Sequence, residues 1–215
     1  MNQDQRRSTL AHARLYGIVD FGYVARSDVA EITQQLLIGG VDVIQLRAKG
    51  AEMDQIIQAA KQILPLCKSA GIPFILNDFP ELAVELGADG VHIGQDDGAI
   101  YDVRRSIGED MLIGRSTHSL EQAHKAMDDG ADYIGFGPLF PTPTKAGRPA
   151  IGLEEVSKME TEVGRFVPAF CIGGIKMENL QQVLAAGARR CVIVSQLLTA
   201  IDIQKATAAA KRVIS

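Results

Sequence analysis

The chain has 215 residues, with 22 Lys plus Arg against 26 Asp plus Glu, a formal net charge of -4, and 47% hydrophobic residues. That balance excludes a disordered or fibrous chain and argues against a sequence-independent nucleic-acid binder, which would be basic. No apolar run approaches the ~18 residues that span a membrane, and the polar start, Met1 to Arg7, lacks the apolar stretch of a secretory signal. The three cysteines, Cys67, Cys171 and Cys191, show no CxxC spacing and read as buried thiols in a reducing compartment, so the cytoplasm is the expected location. The length suits one large domain over 11–215, with residues 1–10 expected to be a loose tail.

In chain order, short apolar runs at 15–19, 41–46, 73–76, 90–93, 111–114, 132–135, 166–172 and 191–194 read as strands. They lack strict polar alternation, which suits strands buried on both faces of a parallel sheet. Helix-like stretches at 28–38, 51–70, 81–86, 100–107, 120–129, 153–162, 177–186 and 201–213 lie between and after them. Pro65 should kink or split the second of these. Gly87, Gly130 and Gly187 read as helix stops, and Ser119 with Gln122 as a helix start. A small echo joins helix ends to strand starts: Gly39-Gly40-Val41-Asp42, Gly87-Ala88-Asp89, Gly130-Ala131-Asp132 and Gly187-Ala188-Arg189. Its reading is structural. Eight strand–helix units in this length predict an α/β fold, a (β/α)8 (TIM) barrel. An open doubly wound sheet is the alternative, although no GxGxxG follows the first strand.

In such a barrel the chemistry sits at the C-terminal ends of the strands. After the second strand, Gln45, Arg47 and Lys49 alternate onto one side and suit a multiply charged anion, or else form a solvated basic loop. Asn77-Asp78 and Gly94-Gln95-Asp96-Asp97 follow the third and fourth strands. Two carboxylates there suit one shared Mg²⁺; singly, each reads equally well as a helix N-cap. Ser116 follows the fifth strand, with His118 an ordinary polar loop residue; His12 and His92 stand isolated. Thr142, Thr144 and Lys145 lie on a Pro-stiffened loop after the sixth, an anion clamp. Gly173-Gly174 and Ser195 follow the last two strands, where such barrels commonly hold a phosphate. Two anion sites, a metal and no activated nucleophile suggest a transferase that releases pyrophosphate.

These segments, in this order, resemble the thiamine-phosphate synthase family: Gln45-Leu46-Arg47-Ala48-Lys49, Asn77-Asp78, Gly94-Gln95-Asp96-Asp97, Gly114-Arg115-Ser116-Thr117-His118, Gly137-Pro138-Leu139-Phe140-Pro141-Thr142-Pro143-Thr144-Lys145, Gly173-Gly174 and Val194-Ser195. The resemblance implies a (β/α)8 barrel that joins hydroxymethylpyrimidine diphosphate to a thiazole phosphate, giving thiamine monophosphate and pyrophosphate. Carried over by motif, Gln45, Leu46, Arg47, Ala48, Lys49, Asn77, Ser116 and Lys145 would hold the pyrimidine diphosphate, with Arg47, Ser116 and Lys145 the candidate catalytic residues. Asp78 and Asp97 would ligate Mg²⁺, and Thr142, Pro143, Thr144, Gly174, Val194 and Ser195 would bind the thiazole phosphate. The implied partners are two small phosphorylated molecules, with no nucleic acid and no membrane; a homo-oligomer is left open. The chain departs from the family pattern at Val19 (where Thr is common before the Asp), Ala48 and Phe79. Two alternatives are a related thiazole tautomerase, which carries a catalytic His where this chain has Pro138, and a non-catalytic phosphate-binding relative.

Overall fold

Each strand lies parallel to its chain neighbours, and the last closes on the first. In the computed structural model, which describes residues 1–142 and 149–215, the strands are β1 (Leu15–Asp20), β2 (Val43–Arg47), β3 (Phe74–Asn77), β4 (Gly90–Ile93), β5 (Leu112–Thr117), β6 (Tyr133–Phe136), β7 (Ala169–Cys171) and β8 (Cys191–Val192). They form a closed barrel in chain order, with Leu15 beside Cys191 at the seam. The expected (β/α)8 architecture is met, and the open sheet is excluded.

The helices are α1 (Gln3–His12), α2 (Val29–Ile38), α3 (Met53–Ala70), α4 (Pro80–Leu86), α5 (Ile100–Ile107), α6 (Leu120–Asp128), α7 (Val156–Met159), α8 (Met177–Ala185), α9 (Ser195–Leu198) and α10 (Ile203–Ile214). Their ends carry the expected signals: the Ser119 side chain accepts from Gln122 N–H at the start of α6, and Gly87 takes the left-handed conformation that stops α4. Three expectations are corrected. α3 is not split at Pro65 but continues as one helix, because Ile56, Ala59, Ala60, Ile63 and Cys67 bury one face against the barrel and offset the lost backbone bond. The helix expected over 153–162 is only four residues long before it widens into a π-helical turn, Glu160–Gly164. The first residues form α1, not a loose tail. Asn2 and Gln5 cap it reciprocally, and Leu10 and Ala13 plug the lower end of the barrel.

Strand alternation builds two separate cores. Residues such as Leu15, Val19, Ile44, Leu46, Val91 and Ile134 point outward and pack under the helices. Tyr16, Ile18, Val43, Ile75, Leu112, Tyr133, Phe170 and Val192 point inward and fill the barrel above Leu10. Cys67, Cys171 and Cys191 are all buried and outside any disulfide. Burial pushes the Cys67 and Cys191 thiols up to about 12, so they stay protonated.

The Gly-x-Asp echo has a defined job at the lower end. Asp42 gives its backbone N–H to Leu15 O (2.8 Å), and its carboxylate accepts Leu15 N–H (2.9 Å). Asp89 closes the same two-point latch on Phe74, and Asp132 on Ile113. Each therefore ties the start of one strand to the next, across β1/β2, β3/β4 and β5/β6. Basic residues complete the carboxylates: Lys211 on Asp42, Arg6 on Asp89, Arg7 and Arg104 on Asp132. Arg189 stands in the fourth repeat, and there the acid comes from elsewhere: the buried Glu160 accepts Arg189 N–H at 3.1 Å. No helix of the described residues is long and apolar enough to cross a membrane.

Candidate active site

At the opposite end, the strand termini surround a cavity. Its wall includes Gln45 and Arg47 from β2, Asn77 from β3 and Ser116 from β5. Across the mouth it includes Thr142, Gly174, Val194 and Ser195. So the structure gathers eight of the sequence-derived candidates into one cavity. Leu46 and Ala48 are buried in the outer core, and their side chains face away from the cavity. Pro143, Thr144 and Lys145 lie outside the described residues.

Arg47 is aimed by Asp20. The carboxylate at the end of β1 is 1% exposed and accepts from the Arg47 guanidinium at 2.7 Å. Asp20 also takes Gly22 N–H, so its own position is set by the turn that follows. The sequence placed Asp20 at a strand end without giving it a role; a carboxylate one strand from an inward Arg was the available signal.

Lys49, Asp78 and Asp97 stand together on the rim beside this cavity. Lys49 Nζ is 3.3 Å from Asp78 Oδ2. Burial pushes the Asp78 carboxyl above its ordinary range; Lys49 opposes that and the nearby Asp97 adds to it. Neither carboxylate is a helix cap: the cap of α4 is Phe79 and that of α5 is Ala99. Asp97 instead accepts Gly94 N–H at 2.6 Å within its own loop. That loop is held from β5, where Arg115 donates to Gly98 O (2.7 Å) and Gln95 O, and Gln95 donates to Ser116 O. Asp78 and Phe79 are consecutive non-glycine residues in left-handed backbone, φ 63 and 54. Such a pair costs of order 1–3 kcal/mol per residue and persists where the surroundings over-determine it. Here Asp78 N–H is held by His92 O and Pro80 begins α4. Among the described residues no group of three or more His, Cys, Asp or Glu is placed to hold a metal. Two carboxylates from neighbouring loops remain a suitable donor set for a hard cation that fills its shell with phosphate oxygens and water.

The second side is built from glycine and helix starts. Gly174 has φ +65, and a Cβ on it would lie 2.7 Å from Phe140 Cβ and 2.8 Å from Pro141 O. Glycine is thus required both by conformation and by the close pass of the preceding loop. Ser195 opens α9 directly after Val194, so its backbone N–H is one of those a helix start leaves without an intrahelical acceptor, and the residue lines the cavity. His118 is tied by Nδ1 to Gly137 O and borders the cavity, an anchor for the loop after β6.

The floor of the cavity was not anticipated. Tyr16, His92 and Tyr133 point into it and are linked by hydrogen bonds to Gln45 on one side and Ser116 on the other. Gly114 makes room for them, since a Cβ there would run into the Tyr133 ring and His92 Nδ1. The sequence signal was weak: one aromatic or imidazole on each of three strands, with a glycine facing them.

A closed (β/α)8 barrel whose strand ends present cations, paired carboxylates and a glycine-lined helix start is a phosphate-handling enzyme scaffold. The family model described as thiamine monophosphate synthase matches residues 15–197. A thiamine-phosphate synthase of Thermus thermophilus is 47% identical over 177 residues, 82% of this chain and 84% of that protein. One from Shouchella clausii is 39% identical over 200 residues, 91% of this chain and 93% of that one. Among solved structures, a thiamine phosphate pyrophosphorylase from Pyrococcus furiosus superposes with a TM-score of 0.85 at 32% identity, covering 97% and 96% of the two chains. The chain belongs to the thiamine monophosphate synthase family and is a transferase of thiamine biosynthesis.

Proposed function

We propose that the two sides of the cavity bind two phosphorylated substrates, hydroxymethylpyrimidine diphosphate against Gln45, Arg47, Asn77 and Ser116, and thiazole phosphate against Thr142, Gly174, Val194 and Ser195. The observation that carries this is the meeting of both sets in one cavity of a barrel of this family. Lys49, Asp78 and Asp97 on the adjoining rim fit the diphosphate end. Mg²⁺ held there by Asp78 and Asp97 would neutralise charge on the diphosphate oxygens. Lys145 and the backbone of Leu46 and Ala48 are assigned to the same substrate, and Pro143 and Thr144 to the thiazole phosphate, by motif.

Bond breaking ahead of bond making suits this set of groups. The aminopyrimidine ring stabilises a developing methylene cation, and the departing pyrophosphate gathers negative charge. Arg47, pre-aimed by Asp20, meets that charge without reorganising, and Ser116 donates a hydrogen bond to it. No strong general base is needed. The thiazole ring nitrogen then attacks the methylene carbon, while the Ser195 hydroxyl and the start of α9 keep its phosphate in place.

Incubating the protein with both substrates and Mg²⁺ tests the reading. Release of pyrophosphate with formation of thiamine monophosphate is expected, and either substrate alone should give neither product. Isomerisation of the thiazole carboxylate phosphate in place of pyrophosphate release would favour the tautomerase reading, and binding without turnover the non-catalytic one.

A further inference from the structure

We propose that Tyr16, Tyr133 and His92 are positioning residues, a hydrogen-bond relay across the barrel that fixes Gln45 as an acceptor toward the cavity and Ser116 as a donor, so that the two ends read a ring amino group and an anionic oxygen of one substrate. The identity of that substrate rests on the function proposed above; the relay itself does not.

Four contacts link five side chains from five strands. Gln45 Nε2 donates to Tyr16 Oη at 2.9 Å. Tyr16 Oη lies 2.9 Å from Tyr133 Oη, and Tyr133 Oη 3.1 Å from His92 Nδ1. His92 Nε2 lies 2.9 Å from Ser116 Oγ. Each hydroxyl carries one proton, so the direction at one end sets all the others. With the Gln45 N–H on the Tyr16 oxygen, the Tyr16 proton goes to Tyr133, and the Tyr133 proton to His92 Nδ1. His92 is then a neutral imidazole with its proton on Nε2, given to Ser116. Ser116 is the acceptor in this contact, so the relay does not draw on its own proton. The reverse order ends with Tyr16 donating into the Gln45 amide, which needs the amide oxygen where the nitrogen stands.

The surroundings hold this arrangement. Burial raises both tyrosines above their ordinary range, so both stay neutral hydroxyls. Phe170 packs edge-on against the two rings at 5.2 and 5.8 Å. Gly114 leaves the space that Tyr133 and His92 occupy. With Gln45 Nε2 committed to Tyr16, the amide oxygen is what the cavity receives. An amino group on a heterocycle pairs with it, whereas an oxo group in its place sets two acceptors against each other. A phosphate oxygen on Ser116 demands the same polarity from the other end. The relay therefore couples recognition of the ring to recognition of the diphosphate.

Nitrogen NMR of histidine-labelled protein near neutral pH, together with kinetics on the aminopyrimidine diphosphate and its oxo analogue, tests this. In the wild type His92 should be neutral with the proton on Nε2. Tyr133→Phe should mix the two tautomers, raise KM for the pyrimidine substrate about 5–10-fold and leave KM for thiazole phosphate unchanged; discrimination between the amino and oxo compounds should fall about tenfold, the scale of one neutral hydrogen bond. Tyr16→Phe cuts the relay at the Gln45 end. It should lower discrimination by the same factor while His92 keeps its proton on Nε2, which covers the case in which Tyr133→Phe fails to fold. A wild-type His92 protonated on Nδ1, or doubly protonated, overturns the relay, as does discrimination unchanged in Tyr16→Phe. Should the wild type turn over neither pyrimidine, the proposed function fails and the His92 tautomer decides the relay by itself.

Discussion

The two ends of the barrel use the same kinds of charged residue to opposite effect. At the lower end each carboxylate is saturated: Asp132 takes Ile113 N–H, Arg104 and Arg7, and Asp89 takes Phe74 N–H and Arg6. These groups tie neighbouring strands together and have nothing left to offer a ligand. At the mouth, Lys49 and Asp78 share one long contact, two carboxylates stand close enough to repel, and Asp78 and Phe79 hold left-handed backbone. The difference follows from what each end must do. Saturated ionic groups stabilise a fold, whereas groups that meet a charged substrate are kept under-satisfied at some expense in stability.

The sharpest test of the comparison is on the proposed contacts to the leaving group. Lys145→Ala should lower kcat by about 10²–10³, the cost of one preorganised donor to developing charge, while Tm stays at the wild-type value; a kcat within about threefold of wild type, under about 1 kcal/mol, would remove the lysine from the leaving-group role. The lower end of the barrel should give the converse result. Asp132→Ala strips the acceptor from Ile113 N–H and two arginines, and thermal unfolding should show a loss of about 2–3 kcal/mol with KM for both substrates retained. A variant as stable as wild type would mean that the latches are incidental.

Asp20→Asn crosses between the two regimes, because this carboxylate is satisfied by fixed partners as the lower-end acids are, and is more deeply buried than they are, yet serves a mouth residue. KM for the pyrimidine diphosphate should rise about 5–10-fold, roughly 1–1.4 kcal/mol, with KM for thiazole phosphate unmoved. Equal rises in the two would make Asp20 a structural residue only.

The smallest effect concerns Glu160. Burial holds its carboxyl above the ordinary range, against the opposing Arg189 N–H and the nearby arginines. The folded state thus binds this proton more tightly than the unfolded state. Its contribution to stability is full below the unfolded value and is lost as pH rises through the native one. Glu160→Gln has no such proton, so its Tm minus that of the wild type should grow as pH rises across that window. Parallel Tm curves for the two proteins would contradict the assignment.

Much of this could be read in one dimension. Strand positions, the helix stop at Gly87, the helix start at Ser119 and the barrel closure all follow from local signals: apolar runs, capping side chains and glycines whose conformation does not depend on distant residues. The candidates at strand ends were legible for a related reason, since the fold sends every strand's C-terminal end to one face. The echo of Gly-x-Asp was visible too, but not its use. Along the chain it is visible only that three acids recur just before strands. Only the closed barrel decided that each accepts an N–H from the start of the preceding strand, and that Glu160 takes the N–H of Arg189 where the fourth repeat has no acid. The floor of the cavity belongs wholly to tertiary structure. Tyr16, His92 and Tyr133 are separated by 76 and 41 positions in the chain, and nothing local distinguishes them from core aromatics or a lone histidine. They meet because inward positions of non-adjacent strands converge on the barrel axis, and a contact made by convergence across a closed sheet leaves no periodic trace along the chain.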